Sequence, residues 1–277
     1  ATTLTAGVTV NPSADNKNIR FDSTITGSFA LALNAGTGTA TMTGAVGATR
    51  LTTLTVTAAT ITQGSTVATS SDIHYTGTSS LGGNVNSSGG SVIMTGASSL
   101  GVNLTLTGVG VTLDGAVTGS GKTLTVAAGT GAFTTTSTIG GLGTELSTMI
   151  FTSDTIALGG NIFGSGAITL QPTTVSQTIG IGNGSTGDYN LSSAEIGYLQ
   201  NGFTSITIGR SDGTGAVDVQ AITFNDPVTI RSPVGAGSIT VNGQITGSGN
   251  ASISLNGSSA TTLNASIVTA GNAITIS

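Results

Sequence analysis

Cysteine and tryptophan are absent from this 277-residue chain, and histidine occurs once. Without cysteine there are no disulfides, no thiolate nucleophile and no Cys-ligated zinc or iron–sulfur site. Charge is scarce, at 6% of residues, and eleven acids stand against six bases for a net charge of −5. That balance leaves no basic footprint for nucleic acid. Aromatics make up 4%. The longest unbroken apolar run is Phe29–Leu33, too short for a membrane-spanning helix, so membrane insertion is not expected. No basic segment followed by an apolar stretch opens the sequence. A signal peptide is therefore expected to be already removed, or the chain to be an excerpt of a longer one.

Threonine, glycine and serine take the space instead and together make up close to half of the chain. Such a composition alone would suit a disordered chain. The apolar residues argue against that, because they are β-branched or aliphatic and they alternate. Leu54-Thr-Val56, Leu104-Thr-Leu106, Val109-Gly-Val111-Thr-Leu113, Ile168-Thr-Leu170, Val228-Thr-Ile230 and Ile274-Thr-Ile276 share one grammar. Alternation with period two describes a strand with one buried face. The strands are expected to be about three to five residues long, punctuated by Gly, Asn and Ser.

An internal repeat narrows the fold. Gly115-Ala-Val-Thr-Gly-Ser-Gly121 recurs as Gly160-Asn-Ile-Phe-Gly-Ser-Gly166 and Gly243-Gln-Ile-Thr-Gly-Ser-Gly249. Each copy precedes an apolar strand. The first interval reads as two turns, and the second as four, of a coil of roughly 20–22 residues. A coil of that size is one rung of a parallel β-solenoid. The chain is therefore expected to be all-β, a single domain over 1–277 with roughly 13 rungs stacked into a rod about 60 Å long. A string of antiparallel sandwiches is the competing all-β reading, disfavoured by the lack of large core residues. One segment breaks the grammar: Ser192 and Glu195 read as a capping box and Asn201-Gly202 as a stop, which predicts a short helix over about 193–200 with Ile196 and Leu199 against the solenoid.

The phrases Leu104–Val117, Gly119–Val126 and Gly202–Gly213 carry a resemblance to the repeat regions of bacterial filamentous-haemagglutinin-like surface proteins. Ser192–Gly213, a short helix followed by Gly-Phe and a strand ending Ile-Gly-Arg, is the most specific part. The resemblance implies a right-handed β-helical rod, exported and located at the cell surface, that acts in cell adhesion, aggregation or biofilm matrix. The family's amino-terminal secretion domain has no counterpart here, which fits a rod module of a larger fibre.

Chemistry is thin along the chain. The acids are dispersed, with no Asp-Asp pair, so no catalytic residue is assigned and an enzyme is not expected. Asp188, Arg210 and Arg231 follow one another at intervals of one coil and would stack as an acid–base column, most simply a surface ion-pair ladder. His74 beside Tyr75 lacks companions for a metal site. No cofactor is expected; calcium is the one metal left open, because Gly182–Asp188 and Asp212–Asp218 are glycine–aspartate tracts, although ordinary turns account for both. Gly119-Ser-Gly-Lys122-Thr123 lacks phosphate-loop spacing and reads as a rung corner. Seven Asn-x-Ser/Thr triplets are close to what the composition alone provides. The Thr-x-Thr runs at 53–57, 105–107 and 123–125 raise an ice-binding reading, but threonine decorates strands chain-wide. The leading expectation is an extracellular structural and adhesive rod that associates end to end and meets a glycan or cell-surface receptor. The alternative is glycan binding or processing along its side, with Tyr75, Tyr189, Tyr198 and Phe203 exposed for stacking on sugars.

Overall fold

The period-two pattern folds into strands that pair only in parallel and, with one exception, each with the strand one winding further along the chain. The computed structural model describes residues 1–277. Its largest sheet holds 13 strands, from Thr2–Thr3 to Ile274–Ile276. One inward column of this first face can be followed through every winding: Thr2, Ile25, Val46, Val67, Val85, Leu106, Val126, Phe151, Leu170, Ile208, Ile230, Leu255 and Ile276. These 12 steps give an axial length of about 58 Å at the spacing of adjacent strands.

Two further faces close each winding. The second is built from an 11-stranded sheet and, beyond it, a 5-stranded sheet. The third runs through Ile19, Ala40, Ile61, Ser79, Ser98, Val117, Ile139 and Ile162, then Leu199, and continues in a 3-stranded sheet from Ile222–Phe224 to Ile267–Thr269. Together the faces enclose one contiguous cluster of 61 buried apolar residues. The core is thin, so each aliphatic side chain meets its equivalent one winding above and below. Outward positions stack likewise. Thr105, Thr125, Ile150, Thr169, Thr207, Thr229, Ser254 and Thr275 form one exterior column. The neighbouring column passes through Thr107, Ala127, Thr152 and Gln171, so no flat two-column threonine array extends along this face.

Most strands have about the expected length, but three run to nine residues or more: Leu31–Met42, Leu54–Gln63 and Ile73–Leu81. Each runs through the corner between the second and third faces. Register shifts at Asn34/Gly36 and Thr57/Thr60 let the ladder bend without breaking. Gly77 is required there: its φ is +129°, and a Cβ would collide with the Ala58 carbonyl oxygen. The Gly-Ser-Gly repeats occupy the corner that leads into the first face, just ahead of Thr123–Ala127, Ala167–Gln171 and Ile253–Gly257.

The windings are not uniform. Along the first-face column, the step from Leu170 to Ile208 takes nearly twice the chain length of a typical step. The interval between the last two repeats therefore spans three windings, Ile168 to Ile206 to Val228 to Ile253, where a fixed period predicts four. In the long winding the chain first forms Ile179–Ile181, which pairs with Ala216–Val219 of the following winding. It then loops through 182–188 and returns as Tyr189–Leu191, parallel to the strand it has just left. Spatial order is thus reversed relative to chain order, and Tyr189–Leu191 packs next to Thr155–Leu158 without a ladder between them.

The helix Ser193–Gly197 follows, with the capping box formed by Ser192 and Glu195. It ends short of the expected position 200, because Leu199 leaves the helix to bridge Ile162 on the third face. Ile196 and Leu199 are buried. The Glu195 carboxylate has a second task. One oxygen accepts the Ser192 N–H at 2.8 Å, and the other accepts the Leu158 N–H at 3.0 Å. The helix cap thereby closes the gap at the end of the 11-stranded sheet.

Candidate functional site

The long winding changes the surface as well as the core. At the corner between the third and first faces, Gly-Ser-Gly is replaced by Asn201-Gly202, and one winding on by Asn225-Asp226-Pro227. A concavity of about 510 Å³ opens here, lined by Asn201–Thr204, Asn225, Asp226 and Ser248–Asn250. A second, of about 290 Å³, adjoins it through Asn201 and Gly202 and extends to Gln200 and Glu145. A third, of about 500 Å³, shares Asn225 and reaches Gln244 beside the helix. The first two share Asn201 and Gly202 and form a groove along the corner, and the third meets it at Asn225 from the third face.

Asp226 sits at its base, 1% exposed. Its carboxylate accepts the Gly202 N–H, with the two oxygens at 3.1 and 3.2 Å. Burial pushes its pKa up, and hydrogen bonds from the Gly202 and Phe203 N–H groups only partly offset this. Gly202 has a φ of +136°, so the turn that aims this N–H favours glycine. Glu145, at the far end, is held below the usual carboxylate range by its own N–H and that of Gly143. The lining includes no Lys, Arg or His. Chemically, the groove presents the side-chain amides of Asn201, Asn225 and Asn250, donors and acceptors that suit a neutral, hydroxyl-rich ligand.

The aromatic residues expected to contact sugars are elsewhere. Tyr75, Tyr189 and Phe203 are fully or almost fully buried, and Tyr198 is half-buried against the core. The column is wide enough to take rings where a smaller residue faces them. Tyr75 donates to Gln63 Oε1 at 2.8 Å, satisfying its hydroxyl internally. The Tyr189 hydroxyl is buried with no partner. Burial first, and the Glu195 charge second, push its pKa far above the usual phenol value.

The expected column of Asp188, Arg210 and Arg231 does not form. Arg210 clamps Asp212 through two contacts at 2.7 and 2.9 Å and also donates to the Pro172 and Thr173 carbonyls. Arg231 donates to the Gly209 carbonyl at 3.1 Å. Asp188 accepts from Thr178 Oγ1 at 3.0 Å. The extra residues of the long winding carry Asp188 away from the corner that holds the two arginines. The two glycine–aspartate tracts meet instead through hydrogen bonds: Asp218 accepts the Thr186 N–H at 2.7 Å, and also the Asn242 side chain at 2.9 Å, fastening the 182–188 loop. No group of three or more His, Asp or Glu converges anywhere. His74 occupies an outward position between Thr55 and Ile93. Lys122 lies in a tight turn, its N–H donating to the Gly119 carbonyl at 2.9 Å, and a strand follows.

The residues sequence reasoning missed are Gln200, Asn201, Asn225 and Asp226. A usable signal existed: Asn201, Asn225 and Asn250 recur at intervals of one winding. The fold defines the class of protein, a three-sided parallel β-solenoid. No family model, curated protein or solved structure matches the chain.

Proposed function

We propose that this chain is a segment of an extracellular structural and adhesive rod at a bacterial surface, serving adhesion, aggregation or biofilm matrix. The observation that carries this reading is the combination of a 12-step hydrogen-bonded stack with an exterior made largely of hydroxyl and amide groups. Such a stack is stiff along its axis, since every winding bonds to the next. It holds distance while presenting the same neutral surface along its length. Six Lys and Arg residues offer few sites to trypsin-like proteases, which suits exposure outside a cell.

Self-association end to end belongs to the same proposal. In the last winding, the inward residues Leu263, Ile274 and Ile276 are 47%, 44% and 46% exposed, and the final strands keep one edge unpaired. A further winding, supplied by a continuation of the chain or by another rod, buries both. The test is display of the chain on a non-adherent bacterium, with aggregation and attachment to glycan-coated and bare surfaces measured. Purified material is imaged in parallel. Attachment and axial filaments are expected; non-adherent cells together with single dispersed particles at high concentration would end the proposal.

A second reading, glycan binding on the side of the rod, is favoured by the contiguous amide-lined groove around Asn201 and Asn225. A glycan array, comparing the chain with Asn201→Ala/Asn225→Ala, separates it from adhesion through the rod surface at large.

A further inference from the structure

Four asparagines precede glycine: Asn183, Asn201, Asn242 and Asn256. Three are restrained. The Asn183 side chain accepts the Ser193 N–H at 3.0 Å. Asn242 is bonded through both ends of its amide, to Asp218 and Asn264, and the Gly243 N–H donates to the Val219 carbonyl. The Gly257 N–H donates to the Ser277 carbonyl at 3.0 Å. Asn201 differs on both counts. It is exposed, its side chain makes no hydrogen bond within the chain, and the N–H that follows it points at a carboxylate, Asp226, at 3.1 and 3.2 Å.

We propose that Asn201-Gly202 is a self-modification site, at which Asp226 acts as the base for intramolecular cyclisation of Asn201. The Gly202 nitrogen bonds to the Asn201 Cγ as its proton passes to Asp226. The bond from Cγ to the side-chain nitrogen then breaks, and that nitrogen leaves as ammonia, carrying the proton from Asp226. Water opens the resulting succinimide at either carbonyl, leaving aspartate or isoaspartate at position 201. No oxidant, metal or second protein takes part. The backbone nitrogen is a nucleophile only once its proton is leaving, so an acceptor already bonded to that proton addresses the difficult step. Burial of Asp226 strengthens it as an acceptor. No charged side chain shifts Asp226, and the other carboxylate along the groove, Glu145, faces the Gly143 N–H. The product places a new negative charge beside Asp226 in the groove.

The test is timed incubation of the folded chain near neutral pH, with peptide mapping by mass spectrometry at all four Asn-Gly pairs. Conversion at Asn201 is expected to outpace Asn242 and Asn256. Asp226→Asn is expected to slow it by about tenfold or more, a conservative share of what a positioned base contributes. A pH series should show the rate at Asn201 nearly level above the titration of Asp226, whereas hydroxide-driven conversion keeps climbing. Should Asp226→Asn fold poorly, the unmodified chain in urea serves instead. Loss of the fold must slow Asn201 while speeding the restrained asparagines. Equal rates at Asn201, Asn242 and Asn256, or an unchanged or faster rate at Asn201 on unfolding, would overturn the assignment.

Discussion

Glu195→Ala tests how the long winding is joined to the rest of the rod. The carboxylate receives the Ser192 N–H and hydroxyl at 2.8 and 2.7 Å and the Leu158 N–H at 3.0 Å. Truncation removes the capping box and strands the Leu158 N–H, whose residue is 4% exposed. Loss of a helix cap costs about 0.5–2 kcal/mol, and a buried N–H left without a partner costs about 1–3 kcal/mol. Together the expected destabilisation is about 1.5–5 kcal/mol. It should be local, because windings contact only their neighbours. Amide exchange at Leu158 and across 189–199 should accelerate, while the amides of Leu31–Met42, many windings away, keep their rates. Protease cleavage in the 182–188 loop should rise in parallel. Glu195→Gln keeps an acceptor for Leu158 and should lose less. A Glu195→Ala chain with wild-type exchange at Leu158 and a urea midpoint within about 0.5 kcal/mol of wild type, the scale of ordinary surface changes, would refute the claim that this side chain closes the sheet.

Phe151→Ala removes a fully buried ring whose centroid lies 4.7 Å from that of Phe133; a loss of about 3–5 kcal/mol is expected, read from urea unfolding. Gly77→Ala forces a Cβ onto the Ala58 carbonyl at a φ of +129° and should cost more than the about 1–3 kcal/mol of backbone strain alone, seen as a lowered thermal midpoint or loss of soluble protein. Burial raises the Asp218 pKa, but hydrogen bonds from Thr186, Asn242 and Gln220 outweigh it and leave the value depressed. Its contribution is therefore present above the unfolded value of about 3.9 and is lost as pH falls through the folded one. Protease sensitivity of the 182–188 loop should rise on that descent in the wild type. In Asp218→Asn it should already be elevated near neutral pH.

The alternation of aliphatic residues with threonine determined the strands, and Leu104-Thr-Leu106 or Ile206-Thr-Ile208 leave no choice about which side chains face inward. Loosely periodic Gly-Ser-Gly turns determined that strands stack by windings, and Ser192 with Glu195 determined the helix, because capping is a local interaction between near neighbours in the chain. Which winding lies on which was decided only in three dimensions. A fixed period places Asp188 beneath Arg210 and counts four windings between Gly166 and Gly249; the long winding from Leu170 to Ile208 breaks both inferences, since a chain that doubles back to pair Tyr189–Leu191 with Ile179–Ile181 consumes residues without advancing along the axis. The aromatic residues were misplaced for a related reason. Their burial depends on what stands opposite them in neighbouring windings, such as Gln63 receiving Tyr75, and that partner is reached only along a curved path. The groove at Asn201, Asn225 and Asp226 likewise exists only because consecutive windings bring their corners together, so the contact between Asp226 and the Gly202 N–H is a property of stacking and not of either segment alone.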